Sequence, residues 1–98
     1  MRKVNILYKK PNEFPVEMII DDELENYQEL VEGYIEVFPI SDNFVIVCNE
    51  EGKLRGMKEN VIVNGELIVG PVIFVGANEE GDFVDCPISL EDLIRSSI

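Results

Sequence analysis

Polar and apolar residues alternate in KVNILYK (Lys3–Lys9), the pattern of a strand with one buried face. Two other stretches, FVIVC (residues 44–48) and VIFV (residues 72–75), are continuously apolar. Asn64-Gly65 between apolar runs is a strong hairpin signal, and Gly70-Pro71 predicts a bend in the run that follows. The pattern predicts about six strands: residues 3–9, 16–20, 34–40, 44–48, 61–63 and the interrupted run from residue 66.

Two helices complete the predicted fold. Asp22 and Glu25 have the spacing of a capping box that starts a helix. An apolar stripe on one face of this helix is formed by Leu24, Tyr27, Leu30 and Val31. Gly33 predicts its end, and Ser89 is the predicted N-cap of a second, short helix. We therefore expect a single α+β domain over residues 1–98: a mainly antiparallel sheet, one central amphipathic helix and a short C-terminal helix.

The chain is strongly acidic, with 20 Asp and Glu residues against 8 Lys and Arg residues and a formal net charge of −12. The excess is uneven. Residues 1–20 carry four bases and two acids (+2), whereas residues 21–98 carry eighteen acids and four bases (−14). A field of this sign repels nucleic acid and anionic membranes, and it attracts cations or basic protein surfaces. Neither direct nucleic-acid binding nor membrane binding is expected.

The residue types present restrict the chemistry. Histidine is absent, which excludes a serine or cysteine nucleophile activated by histidine. Cys48 and Cys86 form no zinc motif, and we expect two free thiols in a reducing cytoplasm rather than the alternative, a disulfide. The basic start of the chain lacks the apolar stretch and cleavage signal of a secretory leader. No catalytic residue, metal ligand or cofactor is predicted.

The letters NEEG follow both apolar runs, at residues 49–52 and again at 78–81. Asn and Gly are typical turn residues, and two solvated glutamates suit the tip of a turn, so a turn used twice is the favoured interpretation. The alternative is a carboxylate site for Ca²⁺ or Mg²⁺, which needs the two turns side by side. Its ligands would be Glu50, Glu51, Glu79, Glu80 and Asp82.

Two regions are candidate binding surfaces. The first is the acidic run around the predicted helix, with candidate partner-binding residues Asp22, Glu25, Glu29, Glu32 and Glu36. Early acids suit the helix dipole, but such a face also suits a basic partner or the imitation of nucleic acid. The second is the turn and basic loop NEEGKLRGMK, with candidates Asn49, Glu50, Glu51, Lys53, Arg55 and Lys58. This loop is either solvated or a contact point for an anionic ligand or partner.

The run LVEGYIEVFPISDNFVIVCNEEGKLRGMKEN, then IVGPVIFVG and EGDFVDC, resembles the domain-of-unknown-function family numbered 3846. The resemblance extends from Leu30 to Leu93 and is most specific in GYIEV, in CNEEGKL and at Asn60. Many relatives have a proline pair in this loop, where this chain has MKE (residues 57–59). The resemblance implies a small cytosolic protein of phages, plasmids or conjugative elements, with no catalytic residues to carry over.

The leading hypothesis is an accessory protein of a mobile element that binds a protein partner through its acidic face, and a basic partner is the more specific form of this hypothesis. Its sharper version imitates nucleic acid. The alternative is a binder of a small molecule or divalent cation, or a minor enzyme, with a pocket near the NEEG turns. A homodimer through the edge of strand YIEVFPI stays open.

Overall fold

The computed structural model describes residues 2–96. In this part of the chain there are eight strands and two helices, and six of the strands form the main sheet. The strands are β1 (Lys3–Lys9), β2 (Val16–Asp21), β3 (Ile35–Ser41), β4 (Phe44–Asn49), β5 (Glu59–Val63), β6 (Glu66–Val69), β7 (Val72–Ala77) and β8 (Phe83–Val84). The helices are α1 (Leu24–Val31) and α2 (Leu90–Arg95). The predicted α+β class, with a short C-terminal helix, is confirmed.

The main sheet has strand order β2-β1-β7-β4-β3, and β8 pairs with β7. Its neighbouring strands are antiparallel. The two continuously apolar strands lie together, and every residue of β4 is buried. Strands β2 and β3 lie at the edges, and each of their residues is exposed or half-buried. The apolar runs are thus found where both faces of a strand are covered. The alternation in β1 predicted one buried face, but β1 lies inside the sheet, and its Leu7 is buried on the face opposite to Val4, Ile6 and Tyr8.

The sheet separates two apolar cores. On one face, α1 packs Tyr27 and Val31 against the sheet residues Val4, Ile6, Tyr8, Val45, Val47, Ile73 and Val75. On the other face, the β5–β6 hairpin and α2 pack Val61, Ile68 and Leu93 against Leu7, Ile46, Cys48 and Phe74. Each face therefore has its own cover, one helical and one mixed. For the position of a site, this means that acids on α1 and acids near the hairpin lie on opposite sides of the molecule.

The turn chemistry of the sequence is confirmed at three places. Asn64 (φ 51°) and Gly65 (φ 80°) both have positive φ, as a tight hairpin turn between β5 and β6 requires. The break at Gly70-Pro71 is stronger than the predicted bend, because the chain leaves the two-stranded sheet there and enters the main one. At α2 the Ser89 hydroxyl accepts a hydrogen bond from the Asp92 amide at 3.1 Å.

Both predicted ends of α1 are wrong in detail. The N-cap is Glu23, which makes no side-chain cap bond, since the Asp22 carboxylate accepts hydrogen bonds from Arg2 and the Tyr27 hydroxyl instead. A charged donor competes well with a backbone amide for such a carboxylate. The left-handed residue at the other end is Glu32 (φ 67°), not Gly33. Leu24, placed in the predicted apolar stripe, is 53% exposed.

Neither helix within residues 2–96 is long and apolar enough to cross a membrane.

Candidate partner-binding surface

Three exposed carboxylates follow one another along α1 and at its C-cap. Glu25 and Glu29 are four residues apart on the helix, and Glu32 follows them as its left-handed C-cap residue, beside the depression that contains Lys10 and Lys58; all three side chains are exposed. At 1.5 Å per residue, the three residues span about 10 Å. Among residues 2–96, ion pairs involve four of the 20 acidic side chains, and none of these three is among them. We call these three residues the α1 stripe.

Asp22 does not belong to the α1 stripe. Its carboxylate pairs with Arg2 and accepts a hydrogen bond from the Tyr27 hydroxyl at 2.8 Å. Burial disfavours the ionised form, but the hydrogen bonds from Arg2 and Tyr27 outweigh it and hold the pKa of Asp22 below its usual value. Arg2 also donates to the carbonyl of Phe83, so this ion pair ties β1, α1 and β8 together. Asp22 thus contributes to the fold and offers less free charge to a partner.

Glu36 lies on the other side of the sheet from the α1 stripe. Its Cα is paired with that of Cys48 in the β3–β4 ladder, and Cys48 belongs to the core under the β5–β6 hairpin. Side chains of paired residues in a ladder share one face. The five acids that the sequence groups together are therefore divided in space: two on α1, one at its C-cap, one bound to Arg2, and one beside the hairpin.

The first NEEG turn caps the end of α1. Asn49 is 5% exposed, and its Nδ2 donates to the carbonyl of Val31 at 3.0 Å while its Oδ1 accepts from the Glu51 amide at 2.8 Å. The last carbonyls of a helix lack partners within the helix, and this side chain supplies one. A Cβ on Gly33 would lie 2.7 Å from Asn49 Nδ2, so glycine there permits the close approach. Asn49 is therefore a structural residue, whereas Glu50 and Glu51 are exposed at the tip.

The basic loop does not form one positive patch. Lys53 pairs with Glu66 at 2.8 Å, and Arg55 donates to the carbonyl of Glu32 at 2.8 Å. Lys58 lies apart from both, beside a shallow depression of about 410 Å³ that also contains Lys10. The three charges face three different neighbours, so the loop offers no concentrated site for an anion. The contact between Arg55 and α1 also places a positive charge at the end of the α1 stripe.

The two NEEG turns lie at opposite ends of the sheet. Strands β4 and β7 are antiparallel neighbours, with Phe44 opposite Gly76 and Val47 opposite Ile73, so the turns that follow them point in opposite directions. At about 3.3 Å per residue the turns are roughly 20 Å apart. The five carboxylates of the suggested cation site therefore do not converge. In the part of the chain that the structure describes, no group of three or more Asp, Glu or Cys residues is placed to hold a metal ion.

A cleft of about 390 Å³ lies beside the first NEEG turn, between strand β3 and the β5–β6 hairpin. Its floor is apolar, with Phe38, Cys48, Ile68 and Val69, and its rim carries Glu36, Glu50, Glu66, Lys53 and Leu54. Leu54 is 90% exposed, the largest exposed fraction among the large apolar residues described. Sequence reasoning selected Glu36, Glu50 and Lys53 but missed Phe38, Leu54 and Glu66. The available signal for Leu54 was an isolated apolar residue between two basic ones.

The two thiols are free, and neither is disposed to act as a nucleophile. Burial, and next the charge of Glu36, raise the pKa of Cys48 to about 11. Burial likewise raises the pKa of Cys86. Both side chains therefore remain neutral thiols at physiological pH, and a neutral thiol is a poor nucleophile.

Asn60 holds together three segments that are distant in sequence. Its Nδ2 donates to the carbonyls of Lys9 (2.9 Å) and Gly70 (2.7 Å), and its Oδ1 accepts from Lys9 Nζ (2.6 Å). It thus joins the end of β1 to the break between β6 and β7. Together with Gly33 and Asn49, this residue belongs to the motifs that carry the family resemblance, and all three act on the fold through these contacts.

The model of one protein family, described as Domain of unknown function (DUF3846), matches residues 1–96. The chain belongs to this family. The match extends the resemblance found in the sequence to almost the full length of the chain. No curated protein and no solved structure matches it.

Proposed function

We propose that the protein acts by binding a basic protein partner through the α1 stripe. The observation that supports this proposal is that Glu25 and Glu29 on α1 and Glu32 at its C-cap are exposed and lack ion-pair partners among residues 2–96. Carboxylates that no base in this part of the chain pairs with are available to the basic groups of a partner. Complementary charge of this kind raises association rates and makes binding sensitive to salt.

The setting of this activity is also a proposal. The family resemblance implies an accessory protein of a phage or other mobile element, working in the cytoplasm. Two free thiols suit a reducing compartment, since disulfides persist mainly in oxidising ones.

Imitation of nucleic acid is the sharper version of the proposal. Phosphates of one DNA strand follow one another at 3.4 Å along the axis, so the stripe of about 10 Å spans about three of them. Helix α1 has eight residues and a length of about 12 Å, too short to reproduce a long duplex. The stripe therefore favours a partner with a compact basic patch over one that reads an extended nucleic acid.

The test is retention of proteins from a lysate of the source cells by the immobilised protein, followed by elution with salt. We expect a partner that elutes well below about 1 M salt, where the Debye length is about 3 Å. The triple variant Glu25→Gln, Glu29→Gln, Glu32→Gln should lose this partner. A matched variant, Asp42→Asn, Glu79→Gln, Glu80→Gln, changes the net charge equally at exposed positions away from α1 and should keep it. Equal loss in both variants, or in neither, would contradict the proposal.

The alternative function, binding of a small molecule, has one observation in its favour. The cleft beside the first NEEG turn falls within the size range of ligand pockets, about 300 to 1,000 Å³. A thermal-shift screen of small molecules tests it: a hit that raises the unfolding temperature of the wild type but not of Phe38→Ala would favour this function.

A further inference from the structure

The open edge of β3 ends the main sheet directly beside the cleft. In residues 2–96, β3 pairs with β4 on one side and with no strand on the other. Glu36 and Phe38 of this strand also line the cleft. An edge strand presents unpaired backbone groups to which an extended chain can add. Backbone donors and a side-chain cleft are therefore adjacent on one surface.

The register shows which backbone groups are free. The Tyr34 carbonyl accepts from the Glu50 amide at 2.8 Å, so Tyr34 points its backbone groups toward β4. In an antiparallel ladder every second residue does the same, so the backbone groups of Glu36 and Phe38 also point toward β4. Ile35, Val37 and Pro39 then point their backbone groups outward. Proline has no N–H, so the edge offers the donors of Ile35 and Val37 and blocks extension beyond them.

The cleft specifies the side chains of an added strand. The rim of the cleft carries three carboxylates, those of Glu36, Glu50 and Glu66, and one base, Lys53. Lys53 already forms an ion pair with Glu66. A strand added to β3 places alternate side chains on the face shared by Glu36 and Phe38. A basic residue would meet Glu36, and an apolar residue two positions away would meet Phe38 and the exposed Leu54. Opposite charges and apolar pairs across strands are each stabilising.

A second copy of this chain fits the edge poorly. A two-fold antiparallel pairing that uses the donors of both Ile35 and Val37 is centred on Glu36 and places it opposite its symmetry mate. The Cα atoms of such a pair are about 4.5 Å apart, and like charges directly opposite destabilise a ladder. Each copy also carries a formal net charge of −12. Charge complementarity thus favours a basic segment of another protein.

We propose that the β3 edge and its cleft form a second binding site, which takes an extended peptide with a Lys or Arg two residues from a large apolar side chain. The site is on the opposite face of the sheet from α1, and the proposal does not depend on the α1 stripe. The peptide adds to β3 through the backbone of Ile35 and Val37, and the cleft selects its side chains.

The experiment selects displayed random decapeptides on the immobilised wild-type protein and synthesises the enriched sequences. Selected peptides should alternate basic and apolar residues, and hydrogen exchange should show the amides of Ile35 and Val37 protected on binding. Val37→Pro removes one outward donor at a position that does not donate to β4, and it should weaken binding about tenfold. Val37→Thr keeps the donor and should bind as the wild type does.

A charge test remains informative if Val37→Pro unfolds. Glu36→Lys should weaken binding about tenfold, whereas Asp42→Lys, the same reversal in the neighbouring turn, should not. The inference is overturned if no peptide is enriched, or if enriched peptides bind Glu36→Lys as tightly as the wild type. It is also overturned if they protect amides elsewhere. A dimer in sedimentation that Val37→Pro dissociates would show that a second copy occupies the edge instead.

Discussion

The two NEEG turns have the same four-residue sequence but make different contacts with the rest of the protein. Asn49 is buried and joins its turn to the end of α1. Asn78 is half-buried, and its side-chain Oδ1 accepts from the amides of Glu80 (3.1 Å) and Asp82 (2.9 Å) in its own turn. Both asparagines fold the chain back in the way the sequence predicts. What differs is the neighbouring element: a helix end in one case and solvent in the other. Local sequence sets the shape of a turn, and its surroundings set how much the turn stabilises the protein.

The glycines of the two turns differ in the same sense. Gly52 does not have positive φ, and a Cβ there would lie 2.8 Å from Val69 Cγ2. Gly81 has φ +85° and open space around it. One glycine is needed for packing and the other for backbone conformation.

The largest expected difference is between Asn49→Ala and Asn78→Ala. Asn49→Ala leaves the Val31 carbonyl without its side-chain partner in a buried place and should lower the free energy of unfolding by about 3 kcal/mol. Asn78→Ala removes bonds near solvent and should cost about 1 kcal/mol or less. Urea denaturation of both variants measures this. Equal losses of unfolding free energy in the two variants would mean that both asparagines stabilise the fold to the same extent.

The glycine comparison should give a smaller difference. Gly52→Ala should cost about 2 kcal/mol through overpacking, and Gly81→Ala about 1 kcal/mol through the left-handed backbone. A double-mutant cycle separates the two causes. In a Val69→Ala background the cost of Gly52→Ala should fall, while the cost of Gly81→Ala should stay unchanged. An unchanged cost for Gly52→Ala would refute the packing explanation.

The residues that precede the two turns differ, and the one before the first turn should make the stability of the protein depend on pH. Cys48 precedes the first turn and Ala77 the second, and burial raises the pKa of Cys48 to about 11. The unfolded chain loses this proton from about pH 8.5, while the folded chain keeps it, so stability should fall as the pH rises from about 8.5 toward 11. The pKa values of Cys86 and Tyr27 are raised as well and act in the same direction.

Denaturation at a series of alkaline pH values measures this effect. Cys48→Ala should reduce the slope of stability against pH, although part of it remains because of the other groups. An identical slope in wild type and Cys48→Ala would show that the thiol ionises as easily in the folded chain as in the unfolded one.

The smallest effect is expected at the glutamates of the two tips. Replacing Glu50 and Glu51 by Gln, or Glu79 and Glu80 by Gln, should change stability by less than about 0.5 kcal/mol, because all four side chains are exposed. Addition of Ca²⁺ at matched ionic strength should leave the melting temperature of wild type and both variants alike. A stabilisation by Ca²⁺ that one pair of substitutions removes would revive a cation site at that turn.

Local signals in the sequence were sufficient for most of the fold. Asn64-Gly65, Gly70-Pro71 and Ser89 act through their own backbone or nearest neighbours, so their roles were predictable. The ends of α1 were not, because Asp22 is bound by Arg2 and Gly33 faces Asn49, and both partners are brought near by the folding of distant segments.

The candidate site was predictable only in part, for the same reason. The sequence analysis included Glu25, Glu29 and Glu32 among five candidate acids around the helix, and the structure finds these three exposed. The sequence could not show that Glu36 lies across the sheet, since that depends on which face of β3 meets the hairpin. Nor could it show that the two turns lie far apart, since that follows from the pairing of β4 with β7.

The contrast between the turns also bears on function. The residues that carry the family resemblance, among them Asn49 and Asn60, are engaged in holding the fold, and the exposed carboxylates of α1 are not. We therefore expect the partner to bind at the α1 stripe.

The most direct test of this expectation is photo-crosslinking in the source cells from a photoreactive residue at Gln28, a position on α1 that lies between Glu25 and Glu32 in the sequence. A matched probe replaces the exposed Ile62 on β5. We predict one adduct from position 28 and none from position 62. Formation of the adduct should decrease when the salt concentration is raised before irradiation. Adducts of equal yield from both positions, or from position 62 alone, would contradict this expectation.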